Sequence, residues 1–567
     1  MSKNIVLCSD GTGNEGGSTP DSNVFKIYKA IDINNEDNST DQVTFYDNGV
    51  GTSKISIMQA LGGGMGWGFN QNVRDLYEFL GRNYAGGDDI YIFGFSRGAA
   101  TVRAFAGMIE HCGLVVKNTG KPNEIPEQNF QDLIDEAMKA YKDGKIKKNK
   151  KDVVSARDYS KAHGFRNSNN VYSHDDFAPN GKLKIEFMGI WDTVSSLGVP
   201  QLGHFDLLVN LAFPHLFYDL EPESCVNNVY HAIAVDDERR TFWPLVWDET
   251  SYKNDINRKM EQVWFSGRHS NVGGGYNRQE LATITLDWMM EKLLDHNETS
   301  KPRNGGLNLK EAARDEAKKD ANPFGKLHDS RSGGGIFYRY QPRPIENLCK
   351  NRLNGPIKIH ETVFQRMKYR TGDYTPLNIP APGQFQMVRT RAKESGKDST
   401  NERANPVDTK EYVAIRKKID NLKVNRISLY WVFMTSVILL VVTSICKWTY
   451  PPFEKQLGME PWRNIPNLNW WLGHIDVTKL NFGLWNDAPA WTSLEWYLKH
   501  FADISHYFLP DIFSGTIAYG VIENPLWLGG FVIFAVVMRT CRKSLRKKME
   551  RFQEDARIEL LRLRELK

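Results

Sequence analysis

Residues 89–100 read DIYIFGFSRGAA, an apolar run that leads through a glycine-flanked serine into a stretch of small residues. The first part is typical of a buried strand, and the small residues after it favour a helix. A serine between Gly94 and Gly98 at such a junction predicts a sharp turn that presents the Ser96 hydroxyl above a sheet. Small flanking residues are needed there because a side chain would collide with the neighbouring strand or helix. The alternative is an ordinary glycine-rich turn with a capping serine.

Other apolar runs end in polar or glycine-rich loops in the same way. Strands are predicted at Ile5–Cys8, Val43–Tyr46, Lys182–Trp191 and Val263–Phe265, the last clear one, with a helix around Asn70–Tyr84. Strands that alternate with helices predict an α/β fold with a mostly parallel sheet covered on both faces. In such sheets the functional site forms beyond the carboxyl ends of the strands. The fold class is therefore predicted to be α/β-hydrolase-like, followed by a membrane-anchoring region.

Composition excludes several classes of protein. The chain has 567 residues and a formal net charge of +5, which is small for this length and argues against a nucleic-acid-binding protein. Its six cysteines are scattered without a CxxC pair, which argues against a disulfide framework and a structural zinc site. We therefore expect no metal, and a catalytic part that lies in a reducing compartment. The first residues turn polar too soon for a cleavable signal peptide, and they indicate a strand.

The composition also changes along the chain. The predicted domains are 1–390 (catalytic), 391–426 (linker and juxtamembrane helix), 427–446 (first transmembrane helix), 447–523 (tryptophan-rich segment), 524–540 (second transmembrane helix) and 541–567 (basic cytoplasmic helix). The uncharged run Ile427–Cys446 has the length of a helix that spans a bilayer. The shorter run Asn524–Met538 spans only if it tilts little or is extended. The alternatives are a buried helix for the first run and an interfacial helix for the second.

Basic residues flank both apolar runs, at Arg416–Arg426 and at Arg539–Arg551. Because cytoplasmic flanks carry the excess of lysine and arginine, we expect both flanks and the catalytic domain on the cytoplasmic side of a bacterial inner membrane. The tryptophans between the runs fit either a segment on the bilayer surface or a small packed domain. The last residues carry an apolar stripe from Leu545 to Leu563, which fits docking on the body or pairing with a copy of itself.

A serine hydroxyl needs a base to take its proton, and the base needs a carboxylate to orient it. In α/β-hydrolases the acid and then the histidine follow the serine along the chain. Asp192 is the favoured acid because it directly follows Ile185–Trp191, at the tip of a predicted strand. Otherwise it would be a helix cap or a turn residue. Asp236 and Asp237 are its rivals, but neighbouring arginines would satisfy them structurally.

His269 is the favoured base because it lies on a glycine-rich loop after the strand Val263–Phe265. A histidine at that place can reach a serine on an adjacent strand. His231 and His328 are its rivals. His231 is predicted at the start of a strand, which is the wrong end, and His328 heads a polar loop.

Backbone N–H groups must stabilise the oxyanion that forms when a serine attacks a carbonyl. We expect one from Arg97, directly after the serine, and another from Gly11 or Thr12, after the first strand. Glycine at that place lets the backbone approach a substrate carbonyl closely. Asp10 itself is expected to hold this loop by hydrogen bonds instead of supplying a donor.

Five motifs together resemble a known family. They are CSDGTGN (8–14), DNGVGT (47–52), GFSRGA (94–99), GIWDTV (189–194) and FSGRHSNVGGGY (265–276). On these motifs, residues 3–345 resemble the α/β-hydrolase family that includes the catalytic domain of type VI secretion phospholipase effectors. The resemblance implies an esterase of glycerophospholipids with Ser96 as nucleophile, Asp192 as acid and His269 as base, without a cofactor. The sequence departs from the family at Asn271, where the family often has an acid.

Together these features predict a membrane-anchored serine hydrolase of the phospholipase A type. The expected partners are a membrane phospholipid substrate and the lipid bilayer, with no nucleic acid. A homo-oligomer through the C-terminal helix and an immunity or secretion partner are further expectations. Three alternatives stay open: a non-lipid esterase or thioesterase, a membrane-disrupting or pore-forming effector with a regulatory hydrolase-like domain, and a catalytically silent scaffold.

Overall fold

The computed structural model describes residues 2–11, 16–17, 20–33, 41–48, 64–117, 126–149, 171–172, 183–194, 224–253, 255, 258–331, 338–390, 410–449 and 525–565. The chain divides into two compact units. One unit, here called the catalytic unit, consists of Met1–Asn421 with Glu550–Lys567, and the other is Leu422–Met549.

One parallel sheet organises the catalytic unit. The strands are β1 (Asn4–Ser9), β2 (Gln42–Asp47), β3 (Asp89–Phe95), β4 (Leu114–Val115), β5 (Val171–Tyr172), β6 (Ile185–Trp191), β7 (Val226–Ala234), β8 (Lys259–Phe265), β9 (Ile357–His360) and β10 (Phe385–Val388). Among the described residues, eight of them pair in parallel in the order β2-β1-β3-β6-β7-β8-β9-β10, while β4 and β5 form a separate antiparallel pair. The predicted mostly parallel α/β fold is confirmed.

Helices cover both faces of this sheet. The helices of the catalytic unit are α1 (Asn23–Ala30), α2 (Gly64–Asn83), α3 (Arg97–Cys112), α4 (Glu127–Asn149), α5 (His269–Gly273), α6 (Glu280–Ser300), α7 (Glu311–Asp320), α8 (Ile345–Cys349) and α9 (Glu361–Lys368). Two longer helices, α10 (Lys410–Thr449) and α11 (Pro525–Glu565), belong partly to each unit. Alternate residues of a strand point to opposite faces. Ile90 and Ile92 of β3 therefore pack in one core with α2 and α3, whereas Tyr91 and Phe93 pack in another with α1 and α6.

The predicted strands are found, but the sheet extends further than predicted. The expectation that Val263–Phe265 is the last clear strand is wrong, because β9 and β10 continue the sheet beyond β8. Each has four residues, IKIH and FQMV, with polar side chains among the apolar ones. Such short mixed runs have only a weak local preference for strand, so the sequence gives no clear signal. Pairing with a neighbouring strand stabilises them in the folded chain.

The end of α11 packs on the catalytic unit. Ala556 and Leu560 are buried in the same apolar cluster as Ile419 near the start of α10. Gln553 adds a hydrogen bond from its Nε2 to the carbonyl oxygen of Thr375 (3.1 Å). Docking on the body, one of the two roles predicted for this amphipathic helix, is what the structure shows.

The predicted membrane segments fall largely on residues of which little is described. Within the described ranges, no helix combines the length and the apolar character needed to cross a membrane. The side chains of 437–446 and 524–532, most of the tryptophan-rich segment 447–523, and 391–409 of the predicted linker lie outside the described residues. Inside the unit Leu422–Met549, the buried Arg426 donates from Nη1 to the sulfur of Met549 (3.7 Å).

Candidate active site

Ser96 lies in a sharp turn between β3 and α3, as predicted. Its φ of 57° and ψ of −118° belong to a region that residues with a side chain rarely adopt. The Ser96 amide donates to the carbonyl oxygen of Trp191 at the end of β6 (3.0 Å). The neighbouring strand therefore holds the strained turn in place.

The two glycines that flank this turn leave no room for a side chain. A Cβ at Gly94 would lie 2.7 Å from the Cα of Ala99. A Cβ at Gly98 would lie 2.1 Å from the carbonyl oxygen of Ser9. Both distances are far below a van der Waals contact, so the close approach of β1, β3 and α3 requires glycine at both positions.

The structure brings the predicted serine, histidine and acid into one hydrogen-bonded series. Nε2 of His269 lies 2.7 Å from Oγ of Ser96, and its Nδ1 lies 2.6 Å from Oδ2 of Asp192. Because an ionised carboxylate can only accept, Nδ1 donates its proton to Asp192 and Nε2 accepts from the serine hydroxyl. All three residues are buried, with exposed fractions of 6%, 5% and 0% for Ser96, His269 and Asp192.

Three strand ends position these side chains. Asp192 follows β6, which pairs directly with the serine-bearing β3, whereas His269 begins α5 after β8, with β7 in between. Two acids after β7 hold the histidine loop across this gap. Oδ2 of Asp236 accepts from the Gly267 amide (2.7 Å), and Oδ2 of Asp237 accepts from the His269 amide (3.2 Å). The rival acids are therefore placed as supports of the loop that carries His269.

The surroundings of these two acids differ. Asp237 pairs with Arg239 (2.7 Å), as predicted, and although burial raises its pKa, that guanidinium holds the pKa below its usual range. Asp236 instead accepts from the hydroxyl of Tyr374 (2.8 Å), and burial raises its pKa to about 6. The prediction of an arginine partner is thus confirmed for Asp237, whereas Asp236 accepts hydrogen bonds from an amide and a phenol.

The rival histidines lie elsewhere. The prediction that His231 starts a strand is wrong, because β7 begins at Val226 and His231 lies in its second half. Two asparagines follow Val226 and obscure the start of this strand in the sequence. Nε2 of His231 accepts from the Thr193 amide (3.2 Å), and burial lowers the pKa of this imidazole to about 3. His328 stacks on the ring of Tyr276, with ring centroids 4.1 Å apart.

Asn271 ties the histidine loop to the segment 326–328. Its Nδ2 donates to the carbonyl oxygen of Lys326 (3.1 Å), and its Oδ1 accepts from the His328 amide (3.3 Å). A carboxylate at this position accepts but cannot donate. The departure from the family pattern therefore accompanies a loop that uses both halves of an amide.

Arg343 is the site residue that sequence reasoning missed. Its Nη1 and Nη2 donate hydrogen bonds to Oδ1 and Oδ2 of Asp192 (2.6 and 2.7 Å), and neither side chain is exposed. Burial raises the pKa of Asp192, but the guanidinium outweighs it and holds this pKa at about 2. Arg343 lies 151 residues from Asp192 in a stretch without a recognisable motif, so no local signal pointed to it.

His269 is neutral at neutral pH. Burial lowers its pKa below the usual value, and the hydrogen bond to Asp192 opposes this only in part. A neutral imidazole next to a serine hydroxyl can take the hydroxyl proton while the oxygen attacks a carbonyl. Among the described residues, no group of three or more His, Cys, Asp or Glu side chains is arranged to hold a metal ion.

The loop after β1 is held by Asp10. Its Oδ1 accepts from the Gly11 amide (2.6 Å), and its Oδ2 accepts from the hydroxyl groups of Tyr46 (2.6 Å) and Ser22. Asp10 therefore holds this loop by hydrogen bonds, as expected. The Gly11 amide is thus engaged with a carboxylate in this structure, and it must turn away from Asp10 to meet an oxyanion.

The other expected oxyanion donors differ in what the structure describes. Arg97 is the first residue of α3, and amides in the first turn of a helix point outward along its axis, where they favour negative charge. Thr12 lies outside the described residues. Arg97 is therefore the candidate donor for which the fold supplies a position beside Ser96.

Comparison with known protein families shows to which family the chain belongs. The family described as T6SS, Phospholipase effector Tle1-like, catalytic domain, matches residues 3–292, just over half of the chain, and the match includes Ser96, Asp192 and His269. The chain belongs to this family. The resemblance predicted from the five motifs is confirmed, although the match ends before the predicted limit at residue 345.

Individual relatives of this Tle1-like chain are distant. An uncharacterised protein of Saccharomyces cerevisiae, YEL023C, is 26% identical over 263 residues, 44% of this chain and 33% of the relative. A crystal structure of an uncharacterised Pseudomonas aeruginosa protein is 20% identical, with a TM-score of 0.31, over 57% of this chain and 49% of that one. The Tle1 effector bound to the VgrG spike is 17% identical, with a TM-score of 0.25, over 49% and 52%. The chain thus spans a third to a half of these proteins.

Proposed function

We propose that this Tle1-like chain is a serine hydrolase that cleaves acyl esters of phospholipids, in the manner of a phospholipase A. The observation that carries the proposal is the hydrogen-bonded series Ser96–His269–Asp192 at the carboxyl edge of the sheet. Family membership supports the lipid ester as the substrate class.

In the proposed reaction, Oγ of Ser96 attacks the acyl carbonyl carbon while Nε2 of His269 takes the hydroxyl proton. Asp192 stabilises the imidazolium that results. The tetrahedral intermediate then collapses, the bond to the lysolipid oxygen breaks, and His269 gives its proton to that oxygen. A water molecule attacks the acyl-serine with His269 again as the base, and fatty acid and the serine hydroxyl are released. No cofactor takes part.

Two features next to the catalytic series agree with cleavage of an ester. The ring of Phe242 meets the imidazole of His269 edge-on, with centroids 4.9 Å apart, and Tyr338 packs against Phe242 (5.6 Å), so an aromatic surface lies beside the base. The Arg97 amide lies at the positive end of the α3 dipole, where a developing oxyanion is stabilised.

The test is fatty-acid release from vesicles of diacyl phospholipid by the purified full chain. We expect release by the wild type and only background release by Ser96→Ala. Ser224→Ala is the matched control, because Ser224 is exposed and bonded to Glu110, outside the catalytic series, and it should keep full activity. Equal release by the wild type and Ser96→Ala would remove Ser96 from the reaction.

Two further substrates separate the alternatives. Faster cleavage of a short soluble ester than of vesicles, lost in Ser96→Ala, would favour a non-lipid esterase or thioesterase. Leakage of vesicles made of ether lipids, which contain no acyl ester, would favour a membrane-disrupting protein.

We also propose that the segments 427–446 and 524–540 anchor the chain in a bacterial inner membrane, with the catalytic unit in the cytoplasm. Residues near both ends of the intervening unit pack in one cluster of the catalytic unit, Ile419 on one side and Leu560 on the other. Entry and exit at the same body agree with an even number of crossings. The basic flanks of both segments agree with this orientation.

Alkaline carbonate extraction of membranes from expressing cells tests the anchor. We expect the full chain to stay in the membrane pellet, as an integral membrane protein does. Release into the supernatant, with a known integral protein retained in the same sample, would contradict the anchor and leave the proposed hydrolase activity untouched.

A further inference from the structure

Arg343 is a fully buried charged partner of the proposed catalytic series, and it comes from a distant part of the chain, just before α8. We infer that Arg343 is a positioning residue for the hydrolase reaction, which locks the Asp192 carboxylate and the aromatic wall beside His269 in one arrangement. The inference rests on the proposed function of Ser96, His269 and Asp192.

The first part of the inference concerns the orientation of Asp192. Its two oxygens accept four hydrogen bonds: two from Arg343 (2.6 and 2.7 Å), one from the Ala234 amide (2.9 Å) and one from Nδ1 of His269 (2.6 Å). With both oxygens held in a planar fork, the carboxylate cannot rotate about its terminal bond. The oxygen that faces Nδ1 is thereby fixed, and so is the tautomer that leaves Nε2 to accept from Ser96.

The second part concerns the other side of the imidazole. The same guanidinium donates to the backbone carbonyls of Ala234 (2.6 Å) and Phe242. The Phe242 ring packs edge-on against His269, while Phe95 packs on the same imidazole at 4.7 Å between centroids. One side chain therefore sets both the acceptor of Nδ1 and an aromatic ring that limits movement of the imidazole. Lysine cannot replace it fully, because an ammonium lacks the planar fork.

The third part is electrostatic. Asp192 is fully buried, and burial without a counter-charge favours its protonated form, which Arg343 prevents by holding the pKa low. The other titratable or charged groups that the described residues place around this site are His231 on β7, Asp236 and Asp237 after β7, and Arg239, which pairs with Asp237. With Arg343 replaced by a neutral side chain, the pKa of Asp192 rises, so the site loses activity at a higher pH on acidification.

The experiment compares kcat, KM and the pH profile of kcat/KM for the wild type, Arg343→Met and Arg343→Lys on diacyl phospholipid vesicles. For Arg343→Met we expect kcat about 100-fold lower, the size of effect that a misplaced catalytic group produces, with KM nearly unchanged. The acid limb of its profile should move to higher pH. Arg343→Lys keeps the charge without the fork, so its acid limb should stay near that of the wild type while kcat is intermediate.

The matched control is Lys292→Met. Lys292 pairs with the buried Glu261 near the start of β8 (2.9 Å) and helps to hold the pKa of that carboxylate at about 2, as Arg343 does for Asp192, but at the opposite end of the strand from His269. Loss of this lysine tests the cost of leaving a buried carboxylate without its cation, and we expect the acid limb to stay in place. If Arg343→Met does not fold, Arg343→Lys still decides by its kcat.

Three outcomes are distinguishable. A folded Arg343→Met or Arg343→Lys with the kcat and acid limb of the wild type overturns the inference and leaves the proposed function standing. A moved acid limb in Lys292→Met as well would assign the effect to the loss of any buried ion pair and also overturn it. Equal fatty-acid release by the wild type and Ser96→Ala overturns the proposed function, and the inference falls with it.

Discussion

Replacing Asp192 with asparagine should lower kcat/KM by about 10⁴-fold and also destabilise the folded chain by about 3–5 kcal/mol. The activity falls because an amide no longer fixes the tautomer of His269 or stabilises its imidazolium. The stability falls because Arg343, of which nothing is exposed, keeps its charge but loses the carboxylate that both its terminal nitrogens contact. Kinetics on phospholipid vesicles and thermal unfolding measure the two effects.

The pH dependence of this destabilisation has a definite sign. The pKa of Asp192 is about 2 in the folded chain, below its value of 3.8 in the unfolded one, so ionised Asp192 contributes stability above about pH 4. That contribution is lost as the pH falls towards 2. The difference in stability between the wild type and Asp192→Asn should therefore be full near neutrality and shrink in acid.

Asp89→Asn is the control for this substitution. Asp89 is also buried and lies on β3, the strand that leads into the sharp turn at Ser96, here called the elbow. It lies at the amino end of that strand, where it accepts from the Asn304 amide (3.0 Å). We expect kcat/KM to be unchanged. Comparable losses of activity in both variants would mean that Asp192 acts through the fold and not through His269.

Replacing Gly98 with alanine should disrupt the elbow itself. The added Cβ would lie 2.1 Å from the carbonyl oxygen of Ser9 and 2.5 Å from that of Asp10, and both are backbone atoms that cannot rotate away. The end of β1 and the start of α3 must therefore separate. We expect a loss of about 1–3 kcal/mol in the free energy of unfolding. A displacement of Ser96 by about 1 Å should cost a further factor of about 100 in kcat.

Gly355→Ala is the matched control, because a Cβ at Gly355 would have no neighbour within 4 Å. Its free energy of unfolding should stay within about 0.5 kcal/mol of the wild type. Chemical denaturation gives the stabilities, and fatty-acid release gives the activities. Should Gly98→Ala match Gly355→Ala in both, the close approach of β1 and α3 would not be what shapes the elbow.

Signals that lie within a few residues of one another could be read from the sequence. The turn at Ser96 was predictable because an apolar run, two glycines and a run of small residues adjoin one another. Asp192 and His269 were predictable because each comes directly after a strand-like run, and strand ends of a parallel sheet meet at one edge. The structure places all three where these local patterns put them.

Groups whose role depends on a distant partner could not be found in this way. Arg343 has no periodic or motif context, and only the folded chain brings its guanidinium to Asp192. The engagement of the Gly11 amide by Asp10 likewise depends on how the loop closes, since the same residues could present that amide to a ligand. Whether the last helix packs on the catalytic unit or on a second copy of itself depends on whether the catalytic unit has an apolar surface for it. Leu560 is buried in such a cluster.

By itself, then, the sequence determined the parallel α/β core, the elbow and the chain order of serine, acid and histidine, because backbone geometry and burial act between near neighbours. Only the tertiary structure decided how the histidine loop is carried across β7 by Asp236 and Asp237, and which cation faces the buried Asp192. Hydrogen bonds and ion pairs of this kind depend on distances in space, and residues far apart along the chain meet only when the sheet has formed.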